Sequence, residues 1–236
     1  MAIKTILFDL DGTLLPMDQD LFVKYYLGGL AKKLIPYGYD KDQFLSAMWA
    51  GVGSMVKNDS GKRNDEIFWK AFCSILGEHV RKDEPLFDEF YHNEFQDVSQ
   101  VCGKNPQAAE VIAKLKGAGY RIILATNPLF PPIATESRIR WAGLSPEDFE
   151  LYTTYDNSYH CKPNPKYYQD ILEKLKLNPS ECLMVGNDVD EDMIAETVGM
   201  HVFLLTDCLI NKHEKDIHAY AHGTFDDFMT YLDNHK

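Results

Sequence analysis

Cysteine is scarce in this chain of 236 residues, and none of its five cysteines forms a C-x-x-C pair. Their odd number and wide spacing argue against a disulfide framework and against a zinc knuckle. These cysteines are Cys73, Cys102, Cys161, Cys182 and Cys208. A reducing compartment suits such a chain, so we expect a cytoplasmic protein.

The chain also has few positively charged residues, since its 24 Lys and Arg are outnumbered by 36 Asp and Glu, which gives a net charge of −12. That balance argues against nucleic acid or an anionic membrane as a partner. No apolar run is long enough to cross a bilayer, and the first one is interrupted by Asp9 and Asp11 before a signal-peptide core could form. We therefore expect a chain that is neither exported nor embedded in a membrane.

Short apolar runs are present, and they alternate with helix-like segments in most of the chain. Each run is too short for a helix with its own core face, so the pattern predicts buried parallel strands joined by right-handed crossovers. The predicted strands are residues 3–8, 121–125, 182–185 and 202–205, and the predicted helices are 106–118, 133–141, 165–175 and 190–198. The fold class is α/β, with a doubly wound parallel sheet.

The segment 17–100 breaks this alternation, since it has no strand-like run and carries aromatic residues at helical spacing, such as Phe68, Trp69 and Phe72. We predict that residues 17–100 form an inserted helical domain. The α/β core would then consist of residues 1–16 and 101–236.

Two carboxylates, Asp9 and Asp11, follow the first predicted strand directly, and Gly12 and Thr13 come next. An open α/β sheet binds its ligands beyond the carboxyl ends of its strands, which is where this pair falls. A D-x-D pair alone is also typical of a solvated turn. Its position at the strand end favours a reactive site.

Three more polar elements occupy comparable positions. They are Thr126 with Asn127 after the second strand, Lys162 before a predicted helix, and Asn187 with Asp188 and Asp192 after the third strand. Considered one at a time, these elements are also typical of a helix cap, a surface lysine and an acidic helix start. Taken together, they supply a hydroxyl, a cation and oxygen ligands for a metal.

In this order the elements resemble the four motifs of the haloacid dehalogenase superfamily. The helical insert falls between Thr13 and Thr126, where the branch of phosphoglycolate phosphatase and β-phosphoglucomutase carries a cap domain. The resemblance implies a Rossmann-like core and a phosphoryl-transfer reaction. Asp11 disfavours the dehalogenase branch, whose members lack an acid there.

The resemblance also implies roles for individual residues. Asp9 would attack phosphorus and form an aspartyl-phosphate, and Asp11 would act as general acid and then as general base. Lys162 would offset negative charge, while Thr126 and Asn127 would bind the phosphoryl oxygens.

Substrate specificity would depend on the cap domain. Lys62 and Arg63, in a polar loop of the cap, are candidate contacts for the distal part of the substrate. A basic pair in such a loop is more often simply solvated.

Mg²⁺ is the expected cofactor, because the site offers hard oxygen ligands. The implied ligands are the Asp9 side chain, the Asp11 backbone carbonyl, and either Asp188 or Asn187. We favour Asp188 because a carboxylate adds negative charge, with Asn187 as a co-ligand and Asp192 in the outer shell.

The leading hypothesis is thus Mg²⁺-dependent hydrolysis of a small phosphorylated metabolite by a monomer or homodimer. A sugar-phosphate mutase uses the same first motif. A binding protein that has kept the fold and lost turnover is a further alternative, because Asn187 stands where an Asp is usual.

Overall fold

A computed structural model describes residues 2–235 as an α/β core with a long helical segment after the first strand. The strands are Thr5–Phe8 (β1), Arg121–Leu124 (β2), Leu151–Tyr152 (β3), Cys182–Gly186 (β4), His201–Leu205 (β5) and Ala221–Gly223 (β6). The α-helices are Gln19–Leu34 (α1), Lys41–Val56 (α2), Asn64–Leu76 (α3), Glu84–His92 (α4), Pro106–Gly117 (α5), Pro132–Trp141 (α6), Pro165–Leu175 (α7) and Phe225–Asp233 (α8). Shorter 3₁₀-helices are Ile35–Tyr37, Glu78–Asp83, Glu94–Val101, Pro146–Asp148, Pro179–Glu181, Met193–Val198 and Ile217–Ala219. In this part of the chain, no helix is both long and apolar enough to span a membrane.

Six strands within residues 2–235 form one parallel sheet, in the order β3-β2-β1-β4-β5-β6. The predicted fold class is therefore confirmed. Strand β1 lies between β2 and β4, so the residues that follow these three strands meet at one edge of the sheet.

Two parts of the sheet and one helix differ from the sequence-based prediction. Strands β3 and β6 were not predicted, because two and three residues are too few to show a pattern. The predicted helix 190–198 was also wrong in part, since the structure has only a 3₁₀-helix, Met193–Val198. The Asp188 Oδ1 atom accepts hydrogen bonds from the N–H groups of Asp190 (2.8 Å) and Glu191 (3.0 Å), which holds these residues in a loop.

The helical segment after β1 has its own aromatic core. Asp18 and Asp40 cap α1 and α2 by accepting hydrogen bonds from backbone N–H groups of the first helical turn. Phe44 and Phe72 pack edge to face at 5.9 Å, and both are buried. We propose that residues 17–100 are the cap domain. The chain leaves the core at Pro16 and returns to it at Gly103, and the Gly103 N–H donates to the Pro16 carbonyl at 2.7 Å. Because these two connections lie side by side, they support this division.

Candidate active site

The Lys162 side chain lies completely buried between two carboxylates at the carboxyl edge of the sheet. Its Nζ is 2.8 Å from Asp9 Oδ1 and 2.6 Å from Asp192 Oδ1. The three residues come from the loops after β1, before α7 and after β4. Folding therefore brings together side chains that lie as far as 183 positions apart in the sequence (192 − 9).

The loop that carries Lys162 is held at its junction with α7. Asn164 accepts a hydrogen bond from the N–H of Lys166 (3.0 Å), and Pro165 occupies the first turn of α7. In the same helix, Tyr167 donates its hydroxyl to the carbonyl of Thr126 (2.9 Å). Helix α7 thus fixes the position of Lys162 and of the backbone at Thr126.

Burial and charge shift the pKa values of this cluster. Burial raises the pKa of Asp9, Lys162 opposes the rise, and repulsion from Asp192 and Asp11 adds to it, giving a value of about 8. For Lys162, burial lowers the pKa, but attraction to Asp192 and Asp9 outweighs it and holds the pKa well above its usual value. Lys162 therefore stays charged. A further cation beside the cluster would favour the ionised form of Asp9.

Asn187 uses both ends of its side-chain amide within the protein. Its Oδ1 accepts from the hydroxyl of Thr13 (2.9 Å), and its Nδ2 donates to the carbonyl of Cys208 (2.7 Å). The amide also lies so close to Gly12 that a Cβ there would collide with it, and Gly12 has a φ of +88°, which favours glycine. Asn187 therefore holds the loop after β1 in place.

Asp188 and Asp192 are linked through the backbone. Asp192 Oδ2 accepts from the N–H of Asp188 (3.0 Å), while its other oxygen binds Lys162. The Asp192 carboxylate lies against Gly186, where no Cβ would fit. Burial raises the pKa of Asp188 above its usual value. Within residues 2–235, no hydrogen bond to the Oδ2 atom of Asp188 is present, so this oxygen faces no competing donor.

Thr126 and Asn127, predicted to bind phosphate, lie beside the same loop. Thr126 is buried, and its carbonyl also accepts from the hydroxyl of Thr153 (2.6 Å). Asn127 Nδ2 donates to Glu191 (2.9 Å), while its Oδ1 is buried without a hydrogen-bond partner among the described residues. Burial raises the pKa of Glu191 to about 7, although Lys162 opposes this rise.

Asp11 forms a close ion pair with Arg138 of α6. The Arg138 side chain is completely buried, and its guanidinium lies over the ring of Phe130 at 4.2 Å. Asp11 Oδ2 contacts the guanidinium, whereas Oδ1 is buried with no hydrogen-bond partner in the described part of the chain. The carboxyl group is thus anchored at one oxygen only.

Lys62 and Arg63 lie in the cap loop, and among residues 2–235 no hydrogen bond or ion pair joins their side chains to Asp9 or Lys162. Arg63 is half exposed and pairs with Asp65 (3.1 Å) and Glu66 (3.6 Å), and Lys62 is exposed. Their proposed contact with the distal part of the substrate stays a prediction.

The same cap loop is docked on the segment that leads to Lys162. Asn58 Nδ2 donates to the carbonyl of Tyr159 (2.8 Å), and Asn64 Nδ2 donates to Cys161 Sγ (3.2 Å). Both Asn side chains are buried, and Asn58 Nδ2 also binds Asn64 Oδ1 (3.0 Å). The position of the cap is therefore coupled to the loop that positions Lys162.

Sequence reasoning missed three members of this neighbourhood: Arg138, Glu191 and Asn64. Arg138 lies within the predicted helix 133–141, and its side chain is buried. A weak signal was available in Ala134 and Thr135, one turn before Arg138, whose carbonyl and hydroxyl oxygens accept hydrogen bonds from its side chain (both 3.3 Å). Asn64 carried no such signal, because its role depends on a partner about a hundred positions away.

The comparisons with known proteins fit this arrangement. Residues 3–195 match the family described as haloacid dehalogenase-like hydrolase, so the chain belongs to that family. Phosphoglycolate phosphatase of Vibrio parahaemolyticus is 29% identical over 213 residues, covering 86% of this chain and 84% of that protein. Pyrophosphatase PpaX of Bacillus cereus is 27% identical over 188 residues, covering 80% of this chain and 76% of that protein. The prediction of a phosphatase of this family is therefore confirmed.

Solved structures support the fold. A phosphatase of this family from Thermococcus onnurineus superposes with a TM-score of 0.59 at 23% identity, covering 98% of both chains. YfnB of Bacillus subtilis, described as a magnesium-bound hydrolase of the family, gives a TM-score of 0.59 at 16% identity, covering 99% of this chain and all of that one. The predicted Rossmann-like core with a helical cap is confirmed at the level of the fold.

Proposed function

We propose that this chain is a Mg²⁺-dependent phosphohydrolase that releases phosphate from a small phosphorylated metabolite through an aspartyl-phosphate on Asp9. The observation that carries this proposal is the buried Lys162, which bridges Asp9 and Asp192 at 2.8 and 2.6 Å. A lysine held between two carboxylates orients the Asp9 side chain and offsets negative charge where an anionic phosphate must approach.

The proposed reaction has two steps. In the first, an Asp9 carboxylate oxygen bonds to phosphorus while the bond to the leaving oxygen breaks, and Asp11 gives that oxygen a proton. In the second, water attacks phosphorus and gives a proton to Asp11, which returns Asp9 as a carboxylate and frees phosphate. Thr126 and Asn127 contact the phosphoryl oxygens in both steps.

The ion pair between Asp11 and Arg138 sets a condition on the first step. An ion-paired carboxylate accepts hydrogen bonds and has no proton to give. Asp11 must therefore turn away from Arg138 before it protonates a leaving group. The Oδ1 atom of Asp11 supports such a rotation, because no hydrogen bond within residues 2–235 holds this second carboxylate oxygen in place.

The donor atoms at this edge of the sheet fit Mg²⁺. We propose that Asp9, the backbone carbonyl of Asp11 and Asp188 would hold it, where the cation would neutralise charge between the nucleophile and the phosphate. Among residues 2–235, no three side chains of His, Cys, Asp or Glu converge as metal ligands. The proposed set needs only two carboxylates, because Mg²⁺ usually keeps several waters and binds substrate phosphate.

Removal of divalent cations should abolish turnover. Treatment with chelator should bring hydrolysis of p-nitrophenyl phosphate to background, because burial raises the pKa of Asp9 to about 8, and without a cation to stabilise its ionised form the carboxyl is largely protonated near neutral pH and cannot attack phosphorus. Added Mg²⁺ should restore the rate, whereas Ca²⁺ should not, since it prefers more ligands at longer distances. Full activity after exhaustive metal removal would refute the proposed mechanism.

Asp188 and Asn187 should differ in their effect on metal dependence. Asp188→Asn keeps an oxygen acceptor for the N–H groups of Asp190 and Glu191 but removes the charge, so the half-saturating Mg²⁺ concentration should rise at least about tenfold. Asn187→Ala leaves the Thr13 hydroxyl and the Cys208 carbonyl without their partner, so it should lower the free energy of unfolding by about 1–3 kcal/mol.

The hydrolysis rate measured as a function of Mg²⁺ concentration reports the metal dependence, and urea unfolding reports the stability. If Asn187→Ala alone shifts the metal dependence, Asn187 is the ligand and the charge argument for Asp188 is wrong.

A further inference from the structure

The amino end of α3 is held by the core. The N–H of Asn64 donates to the carbonyl of Ser158, and the N–H of Asp65 donates to the carbonyl of Tyr155, both at 2.9 Å. Such N–H groups have no acceptor within their own helix, and the side chain of the residue before the helix commonly supplies one. Within residues 2–235, the side chain of Arg63, which precedes α3, makes no bond of this kind. The first turn of α3 therefore depends on its contact with the core.

Asn58 joins the cap loop to the same part of the core. Its Nδ2 donates to the carbonyl of Tyr159 in the core (2.8 Å) and to Asn64 Oδ1 in the cap (3.0 Å). Its Oδ1 accepts from the hydroxyl of Ser60 (2.7 Å). Asn58 is buried, and a buried amide that loses its partners is costly because water does not replace them. Asn58 therefore favours the docked position of the cap loop.

Asn64 extends this contact as far as the residue before Lys162. Its side chain is buried, and its Nδ2 donates to the carbonyl of His160 (3.3 Å) and to Cys161 Sγ (3.2 Å). Each residue of the core segment 158–161 thus gives an acceptor atom to the cap. Lys162 is the next residue of the chain. The cap therefore holds the amino-terminal side of the loop that carries Lys162.

Ion pairs at the rim of this contact contribute less than the buried amides. Asp59 of the cap loop lies 3.3 Å from His160 Nε2 and also pairs with Lys166 of α7. Asp59 is exposed, and water and salt weaken ion pairs at the surface. We therefore attribute the position of the cap loop to the buried amides of Asn58 and Asn64.

Cys161 and Lys162 connect the cap with the reacting groups. Cys161 follows the cap in sequence by some sixty positions, yet it packs within the aromatic cluster of the cap, and burial raises the pKa of its thiol. The adjacent Lys162 instead reaches Asp9 and Asp192. One planar peptide unit joins the two residues, so a shift of Cys161 away from the cap moves the Lys162 backbone with it.

We propose that Asn58 and Asn64 are positioning residues for Lys162. They dock the cap on the segment 158–161 and thereby hold the Lys162 ammonium between the two carboxylates that flank it. The proposed active site is then complete only while the cap loop is docked. This inference rests on the proposed phosphohydrolase function, and it gives the cap a part in assembling the reacting groups.

Loss of either amide should lower the rate of turnover. Asn64→Ala should reduce kcat for p-nitrophenyl phosphate at least about tenfold, because misplacing a catalytic group by about 1 Å can cost about 10²-fold. Asn58→Ala should act in the same direction, and it replaces Asn64→Ala if that variant does not fold. Asn93→Ala removes an amide from an exposed position of the cap, so this control should change kcat less than about twofold. An unchanged kcat in both folded amide variants would overturn the proposal.

Combination with Lys162→Met separates positioning of Lys162 from a general structural defect. Changes that act through one common group give losses that do not add. In the Lys162→Met background, Asn64→Ala should therefore reduce kcat less than about twofold further. If it reduces kcat by the same factor in both backgrounds, Asn64 acts independently of Lys162 and the proposal is wrong.

Alkylation of Cys161 tests the docking without any assay of turnover. Asn58 bonds to Tyr159 rather than to Cys161, so Asn58→Ala exposes this thiol only if the segment leaves the cap. Iodoacetamide should then label Cys161 at least about tenfold faster than in the unmodified protein, as mapped by mass spectrometry. Cys182 of β4 is also 1% exposed, and its rate should not change. Acceleration at both cysteines, or at neither, would overturn the proposal.

Acetylation of Lys162 separates this inference from the proposed function. Acetic anhydride should modify the buried Lys162 faster in Asn58→Ala than in the unmodified protein, whereas exposed Lys174 of α7 should react equally in both. If Cys161 and Lys162 respond in this way while no phosphate ester is hydrolysed, the positioning role stands and the phosphohydrolase proposal falls. If esters are hydrolysed but neither residue responds, the positioning role falls alone.

Discussion

Replacement of Asp9 by Asn should reduce turnover of p-nitrophenyl phosphate by at least about 10⁴-fold, because an amide cannot form the proposed acyl phosphate. The fold should persist. Asn has nearly the same size as Asp, and Lys162 keeps its contact with Asp192 at 2.6 Å. Removal of the Asp9 charge also relieves repulsion from Asp192 and Asp11, the repulsion that helps to raise the pKa of Asp9.

The measurements are steady-state rates, the thermal unfolding midpoint and acid-quenched labelling with radioactive phosphate from acetyl phosphate. The unmodified protein should retain label that is released by hydroxylamine, and Asp9→Asn should retain none. Asp20→Asn, an exposed substitution of the same kind in α1, should behave like the unmodified protein. If Asp9→Asn turns over within tenfold of the unmodified rate, the nucleophile is another residue.

The parts of the fold that could be predicted from the sequence are those that depend on local residue patterns. Strands β1, β2, β4 and β5 are buried runs of apolar residues, and such runs can be recognised from the sequence alone. Helix α7 was predicted at its exact bounds because Asn164 and Pro165 mark its start. The two short edge strands depend on pairing with β2 and β5, which is not a property of their own residues.

In the candidate site, too, some residues could be predicted from the sequence and others could not. Asp9, Lys162 and Asp192 were found because each stands at a fixed position relative to a strand or helix, and the structure brings them into contact. Their assigned roles in catalysis and metal binding stay proposals. Arg138 was missed because helix periodicity alone places an Arg on the solvent side, whereas here an aromatic ring and a carboxylate enclose it.

The Asn187 side chain has a structural role that was not evident from the sequence. The sequence left Asn187 and Asp188 open as metal ligands, and charge was the reason to favour Asp188. Geometry now adds an independent reason, since both ends of the Asn187 amide are committed to Thr13 and Cys208. The Asn187 oxygen has one lone pair left beside its bond to Thr13, so its orientation as a ligand would be set by the loop after β1.

Replacement of Lys162 by Met should affect both activity and stability. Lys162 is completely buried, and its removal leaves Asp9 and Asp192 facing each other without their shared cation. Breaking a buried pair by removing one partner costs about 3–5 kcal/mol of unfolding free energy, and loss of a charge-stabilising donor lowers kcat about 10²–10³-fold. Lys162→Arg should not restore the rate, because the larger, planar guanidinium does not fit a site shaped for an ammonium.

The stability loss should depend on pH in a definite direction. The pKa of Asp9 in the folded protein is about 8 compared with an ordinary value of 3.8, and Lys162 is the group that opposes the rise. Without Lys162 this pKa rises further, so the unfolded chain releases its proton at lower pH than the folded chain does. In the unmodified protein Asp9 ionises near pH 8, whereas without Lys162 it stays protonated to higher pH. Asp9 should therefore lower the unfolding free energy of Lys162→Met, relative to the unmodified protein, as pH increases beyond about 8.

Urea unfolding at several pH values tests this, with Lys166→Met as the control. Lys166 lies in the same region at the start of α7, is half exposed and pairs with exposed Asp59, so its loss should cost less than about 1 kcal/mol at every pH. A Lys162→Met variant that loses equal stability at pH 6 and pH 10 would show that packing of the lysine stem, and not its charge, matters most. Unchanged stability at pH 10 would mean that water or a bound cation replaces Lys162 between the two carboxylates.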